Sequence, residues 1–163
     1  MVKMLRHRGP DDTGFYTDRD IGLAHARLSI IDLSGGKQPL CNEDKTIWVA
    51  LNGEIFNYVE LRRDLIARGH TFATQSDTEV IVHLYEQHGD DFVDHLNGQF
   101  AVALWDKKRR RLVLARDRVG IRPLFYTITD GRLIFASEIK SILATPGVKK
   151  HLNHQALAEA FTF

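Results

Sequence analysis

Two short segments hold the residues best suited to chemistry: Asn52-Gly53-Glu54-Ile55-Phe56-Asn57-Tyr58 and Ser76-Asp77-Thr78-Glu79. An asparagine amide beside a glycine N–H offers two donors that can converge on one point, the geometry that stabilises an oxyanion. Glu54 adds a carboxylate at the same strand end. Arg27 and Asp77 carry the charges that a free amino acid needs, a guanidinium for its carboxylate and a carboxylate for its ammonium. Each residue also has a plainer explanation. Asn-Gly after an apolar strand is a common hairpin turn, a lone arginine in a strand is commonly an exposed rung, and Asp77 fits a helix N-cap. Spacing alone leaves both sets of readings open, because the fold must bring Arg27 and Asp77 together for the first to hold.

The elements that must position them are legible in outline. A stretch from Ile21 to Ile31 reads as a strand closed by Ser34-Gly35-Gly36, and Thr46–Leu51 reads as a second that ends at Asn52-Gly53. Asn57 and Glu60 have capping-box spacing for a helix that buries Tyr58, Leu61 and Leu65 and stops at Gly69. Thr71–Thr74 reads as a short strand. Ser76 and Glu79 then repeat the cap spacing before a helix with Val80, Ile81, Leu84 and Tyr85 inward, stopped by Gly89. Beyond it the pattern changes to hairpins. Phe100, Val102 and Leu104 alternate with alanines, Leu112 and Leu114 follow a charged tip, and Leu124–Thr127 pairs with Leu133–Ala136 across Asp130-Gly131. Helices near 138–144 and 154–162 close the chain. Strands in series with helices grouped between them predict two antiparallel sheets packed together and covered by helices.

Composition narrows the function classes. The 163 residues fit one domain, and 44% hydrophobic with 26% charged residues is a globular balance. A net charge of +1 argues against a polyanion-binding role. The basic run from Lys107 to Arg111 lies between two strands and reads as a solvated hairpin tip rather than a nucleic-acid patch. The sequence has no apolar run long enough for a membrane span and no secretion signal, and its one cysteine suits a reducing, cytoplasmic compartment. Among the eight histidines, His83 and His88, or His151 and His154, have no third ligand nearby in sequence, so no metal is expected.

Eight blocks, in order, resemble one family: His-Arg-Gly-Pro-Asp (7–11), Arg-Leu-Ser-Ile-Ile-Asp (27–32), Gln-Pro-Leu (38–40), Asn-Gly-Glu-Ile-Phe-Asn (52–57), Ser-Asp-Thr-Glu (76–79), Leu-Asn-Gly-Gln-Phe-Ala (96–101), Ala-Arg-Asp-Arg (115–118) and Ala-Ser-Glu-Ile-Lys (136–140). The chain resembles the glutaminase domain of glutamine-hydrolysing asparagine synthetases, class II glutamine amidotransferases. The resemblance implies an α+β fold, the four-layer αββα sandwich of N-terminal-nucleophile hydrolases. It implies glutamine binding by Arg27, Ile30, Ile31, Asn52, Gly53, Glu54 and Asp77, with Asn52 and Gly53 as the oxyanion hole. In such enzymes an N-terminal cysteine attacks the glutamine amide, releasing ammonia for a synthetase domain that uses ATP and Mg to amidate aspartate. The glutaminase domain itself needs no cofactor, and the implied partners are L-glutamine, the synthetase domain and, as an open possibility, a second copy of the chain.

The match departs from the family at its start. Met1–Arg6 corresponds to the last turn or two of a helix, and the strand that carries Met-Cys-Gly-Ile has no counterpart. Cys41 lies between two motifs that do not specify it and has no terminal amine to act as base. The expectation is a glutaminase domain over 1–163 that lacks its first strand and its nucleophile and is inactive alone. Rival readings are a non-catalytic glutamine-binding relative and a glutaminase serving another acceptor. Arg116, Asp117 and Arg118 are expected to form an ion-pair corner.

Overall fold

The computed structural model describes residues 1–28, 31–32 and 35–162. After a short 3-10 turn over Val2–Leu5, the hairpin of β1 (Asp12–Thr17) and β2 (Gly22–Arg27) leads to β3 (Leu40–Cys41) and β4 (Ile47–Ile55). Helices α1 (Tyr58–Ala67) and α2 (Glu79–His88) follow. Next come β5 (Gly98–Asp106), β6 (Arg111–Arg116), β7 (Phe125–Thr129), β8 (Arg132–Ala136), α3 (Ile139–Leu143) and α4 (His154–Ala160). Every strand pair is antiparallel.

The central sheet runs β3-β4-β5-β6, and the alternation of side chains along its two long strands creates the layers. Ile47, Val49, Leu51 and Ile55 of β4 join Phe100, Val102 and Leu104 of β5 on one face, where they meet Val80, Ile81, Leu84 and Tyr85 of α2 and Leu65 of α1. Ala103 and Trp105 face the opposite way, against Leu23 and Tyr16 of the first hairpin and Phe135 of the last. Helix α3 packs outside the β7–β8 hairpin. The order is helices, sheet, hairpins, helix. No helix among the described residues is long and apolar enough to cross a membrane.

The expected second sheet is divided. β1-β2 and β7-β8 are separate two-stranded sheets, so β2 and β8 each have a partner on one edge only. A cavity lined from both edges lies between them, over Ala101 and Ala103 of β5. The β7–β8 turn is as expected: Asp130 (φ 49°) and Gly131 (φ 68°) both take the left-handed conformation of a type I′ hairpin.

Four local expectations need correction. Residues 71–74 form no strand, because their N–H groups bond carboxylates instead: Thr71 to Glu43, and Ala73 and Thr74 to Glu79. Asn57 precedes α1 but caps nothing with its side chain. Its amide clasps the segment ahead of β5, donating to His95 O and accepting from Asn97 N. Helix α2 begins later than the Ser76 cap spacing implied, since Glu79 turns back to residues 73 and 74. The corner at 116–118 is built mainly on backbone groups, with an exposed ion pair from Arg118 to Asp94 at 3.7 Å. Asp117 accepts from the N–H groups of Phe100, Ile121 and Arg122, and those bonds hold its carboxyl below the usual range. The basic run forms the expected hairpin tip, with Lys108, Arg110 and Arg111 paired to Asp44, Asp20 and Asp90.

Gly53 is the tightest point of the sheet. It pairs with Phe100 at a φ of 147°, and a Cβ there would lie 2.0 Å from the carbonyl oxygen of Gln99. Gly53→Ala is therefore expected to destabilise the fold by about 1–3 kcal/mol from backbone conformation alone, with the clash added. Chemical denaturation checks this, and an unchanged midpoint would refute the register described.

Candidate functional site

The candidate site begins with a mismatch in strand length. β4 has nine residues, and its outer neighbour β3 has two, paired at Val49 and Trp48. From Leu51 onward the outer edge of β4 has no strand beside it. Side chains take over. The N–H of Leu51 donates to Gln38 Oε1 at 2.6 Å, and its carbonyl accepts from His25 Nε2 at 2.9 Å. The N–H of Ile55 donates to Asp77 Oδ2 at 2.9 Å. Backbone N–H groups alternate in direction along a strand, so that of Gly53 points to this same edge, between the two anchored residues.

Asn52 and Glu54 stand on the face turned toward the hairpins. The Asn52 Nδ2 is buried and has no hydrogen-bond partner among the described residues. A buried amide without an acceptor is costly unless a ligand supplies one. The Asn52 amide and the Gly53 N–H thus form a pair of adjacent donors awaiting one oxygen, which favours the oxyanion reading over the hairpin turn.

Arg27, Ile31, Asn52, Gly53, Glu54 and Asp77 all line one cavity of about 380 Å³. Ile30, the remaining residue expected there, lies outside the described residues. Arg27 ends β2 and is buried, with Nη2 donating to the carbonyls of Ile31 and Asp32 at 3.0 and 2.6 Å. Those bonds hold the guanidinium in place while it lines the cavity. Asp77 precedes α2 and is likewise buried. Burial pushes its carboxyl up, against the opposing bond from Ile55, and the nearby charge of Glu54 pushes in the same direction. The cavity therefore brings a cation, two carboxylates and a donor pair into one space, the groups that an α-amino acid with a polar side chain requires.

Two cavity residues escaped sequence reasoning. Gln38 spans from Leu51 to Thr78 Oγ1 at 3.1 Å, tying the β4 edge to the start of α2. His25 lines the same space, and burial pushes its imidazole down, so it is neutral. With Nε2 donating to Leu51, its buried Nδ1 is an acceptor without a partner among the described residues. Gln38 lies inside a matched block, His25 lies outside all of them, and neither position announces a chemical role. Cys41 does not line the cavity. Its half-buried thiol sits opposite Trp48 in the β3–β4 pair, and burial raises its pKa.

Comparisons with known proteins identify the family of the domain. The family model for a glutamine amidotransferase domain matches residues 1–163. The chain is 50% identical over 153 residues to asparagine synthetase [glutamine-hydrolyzing] 2 of Bacillus subtilis, covering 94% of this chain and 20% of that protein. It is 51% identical over 140 residues to a probable asparagine synthetase [glutamine-hydrolyzing] of Dictyostelium discoideum, covering 85% and 25%. The chain thus spans about a quarter or less of these relatives. Among solved structures it resembles glutamine phosphoribosylpyrophosphate amidotransferase of B. subtilis, with a TM-score of 0.71 and 24% identity over 86% of this chain and 38% of that one. That likeness fixes the fold. The chain belongs to the glutamine amidotransferase domain family.

Proposed function

We propose that this domain binds free glutamine and releases ammonia from its side-chain amide, for use by the synthetase portion of a larger, cytoplasmic asparagine synthetase. The observation that carries this reading is the orphaned Asn52 amide beside the Gly53 N–H, within a cavity that also presents Arg27 and Asp77. Arg27 takes the α-carboxylate. Asp77 and Glu54 take the α-ammonium. The side-chain carbonyl then reaches the two donors, which stabilise the oxyanion when a thiolate adds to the amide carbon. Ammonia departs with a proton, and water cleaves the thioester to give glutamate. Aspartate amidation, with its ATP and Mg, belongs to sequence outside this domain.

The thiol comes from a strand in the cavity between β2 and β8. Two bare sheet edges face it, small residues (Ala24, Ala26, Ala101, Ala103) floor it, and Leu133–Ala136 wall the far side. An extended, largely apolar segment fits these edges, with its leading cysteine beside Asn52 and Gly53. Its own α-amine supplies the base that Cys41 lacks.

Calorimetry should show saturable glutamine binding, weakened by about 10–100-fold in Arg27→Ala and in Asp77→Asn, since each loses a charge-assisted bond. Asparagine at position 77 keeps an acceptor for the Ile55 N–H, so the strand stays anchored. Because burial raises the Asp77 pKa above 3.8, the carboxylate that receives the ammonium forms only as pH rises. Affinity should increase as pH rises above 3.8, and a flat profile would remove Asp77 from the site. Adding a peptide that begins Cys-Gly-Ile should confer glutamate release, and the same peptide with serine first should not. Tight glutamine binding with no turnover in the presence of the cysteine peptide would instead support a glutamine-sensing protein.

A further inference from the structure

Away from the cavity, the fold gathers a second set of polar residues that sequence spacing did not group. Glu43 comes from the β3–β4 turn, His70 from the link after α1, and His83 from α2, and each presents a ligand atom within 4.8 Å of the others. A fourth group stands beside them. Glu86 Oε2 lies 2.9 Å from Nδ1 of His83 and 3.3 Å from Nδ1 of His70. Two imidazole nitrogens and two carboxylates thus converge from three chain segments. Sequence pairing had joined His83 to His88; the helix instead turns His83 inward to His70, with ring centroids 4.9 Å apart.

We propose that Glu43, His70, His83 and Glu86 form a binding site for a zinc-like divalent cation. The ligand set of two nitrogens and two oxygens suits zinc, which takes them at about 2.0–2.1 Å in a tetrahedron. Ligands at that distance stand roughly 3.3 Å apart by tetrahedral geometry, close to the 2.9 and 3.3 Å between Glu86 and the two rings. Both carboxylates are also held by outer partners, as metal ligands commonly are. Thr71 N donates to Glu43 Oε1 at 3.1 Å, and Asn42 Nδ2 donates to Glu86 Oε1 at 2.7 Å.

The buried side of His83 adds an independent indication. Its Nε2 is fully enclosed and has no hydrogen-bond partner among the described residues, although Glu79 Oε1 stands 3.9 Å away. When Nδ1 gives its lone pair to a metal, the ring proton resides on Nε2 and faces that carboxylate. This is the carboxylate–histidine–metal arrangement that fixes ring orientation. Glu43 is exposed, so the site opens to solvent on that side. A cation there would tie the β3–β4 turn and the α1–α2 link to α2, whose leading residues carry Asp77 to the glutamine cavity.

The test uses the chain with Zn²⁺ or Co²⁺ as the probe. Calorimetry should give one saturable site per chain, and Co²⁺ should give the intense visible absorption of tetrahedral coordination. Thermal unfolding should move to higher temperature with Zn²⁺ and return with a chelator. Glu43→Gln, at an exposed position, and His70→Ala should each weaken binding by at least about 10-fold while far-ultraviolet circular dichroism stays native. Replacing His88 and His95, whose rings lie 3.9 Å apart near the surface, should leave it unchanged. Binding lost with the His88 and His95 replacements, insensitive to Glu43→Gln and His70→Ala, or absent altogether would overturn the proposal. Glutamine affinity, measured in parallel with the chelator present, reports on the cavity separately.

Discussion

The outer edge of β4 is the constraint on which the rest of the site depends. A nine-residue strand with a two-residue neighbour leaves backbone donors and acceptors that water or other groups must satisfy. Here the solution alternates with the strand. Gln38 and His25 take Leu51, Asp77 takes Ile55, and Gly53 between them keeps its N–H for a ligand. If β3 continued alongside, the Gly53 donor would be spent in a ladder and Asp77 would have no anchor. The open edge exists because the sheet stops early.

The same strands explain why the cavity is open on one side and the core is closed on the other. The helix-facing residues of β4 and β5 are large and fully buried against α2, while the opposite face presents alanines at 101 and 103 beneath the two hairpins. Small side chains under two unpaired sheet edges leave a channel of strand width. Asn52 and Glu54 project to this open face because they alternate with Leu51, Gly53 and Ile55. A slip of one residue would turn them into the helix layer and expose the core positions. Gly53 fixes that register, since only a residue without a side chain passes so near Gln99.

Strands, helices and the β7–β8 turn were legible because each rests on local patterns: period-two alternation, helical spacing, and Asp-Gly at a tight hairpin. The charged pair at Arg27 and Asp77 was legible only through matched blocks, since fifty residues of chain separate them and no periodicity brings them together. Cap signals failed at Asn57 and Glu79 for one reason: their side chains hold other segments rather than their own helix ends, and those hydrogen bonds outweighed a local cap of about 1 kcal/mol. Ser76 stays local, its hydroxyl bonding Asp77 and accepting from Thr78 N ahead of the helix. The division of the second sheet was equally hidden, because pairing across β2 and β8 is a matter of what lies between them rather than of their own sequences.

The helix α2 links both polar sites through its first turns. Asp77 and Thr78 lead into it from the cavity, and Glu79 and His83 on the next turn enter the buried charged cluster. Burial lowers the His83 pKa, but Glu79 and Glu86 outweigh it and lift it to about 9. Without a cation, a charged imidazolium therefore offsets two carboxylates that the fold has partly removed from water; a cation bound at Nδ1 would take the place of that proton. Glu79 spends its oxygens on the N–H groups of Ala73 and Thr74, so the segment that approaches Asp77 is fixed from behind. Asp77, with its carboxyl raised by burial, has no such imidazolium among the groups that shift it. The helix thus compensates its structural carboxylates internally and leaves the one at the cavity facing open space, where the proposed glutamine would bring its ammonium.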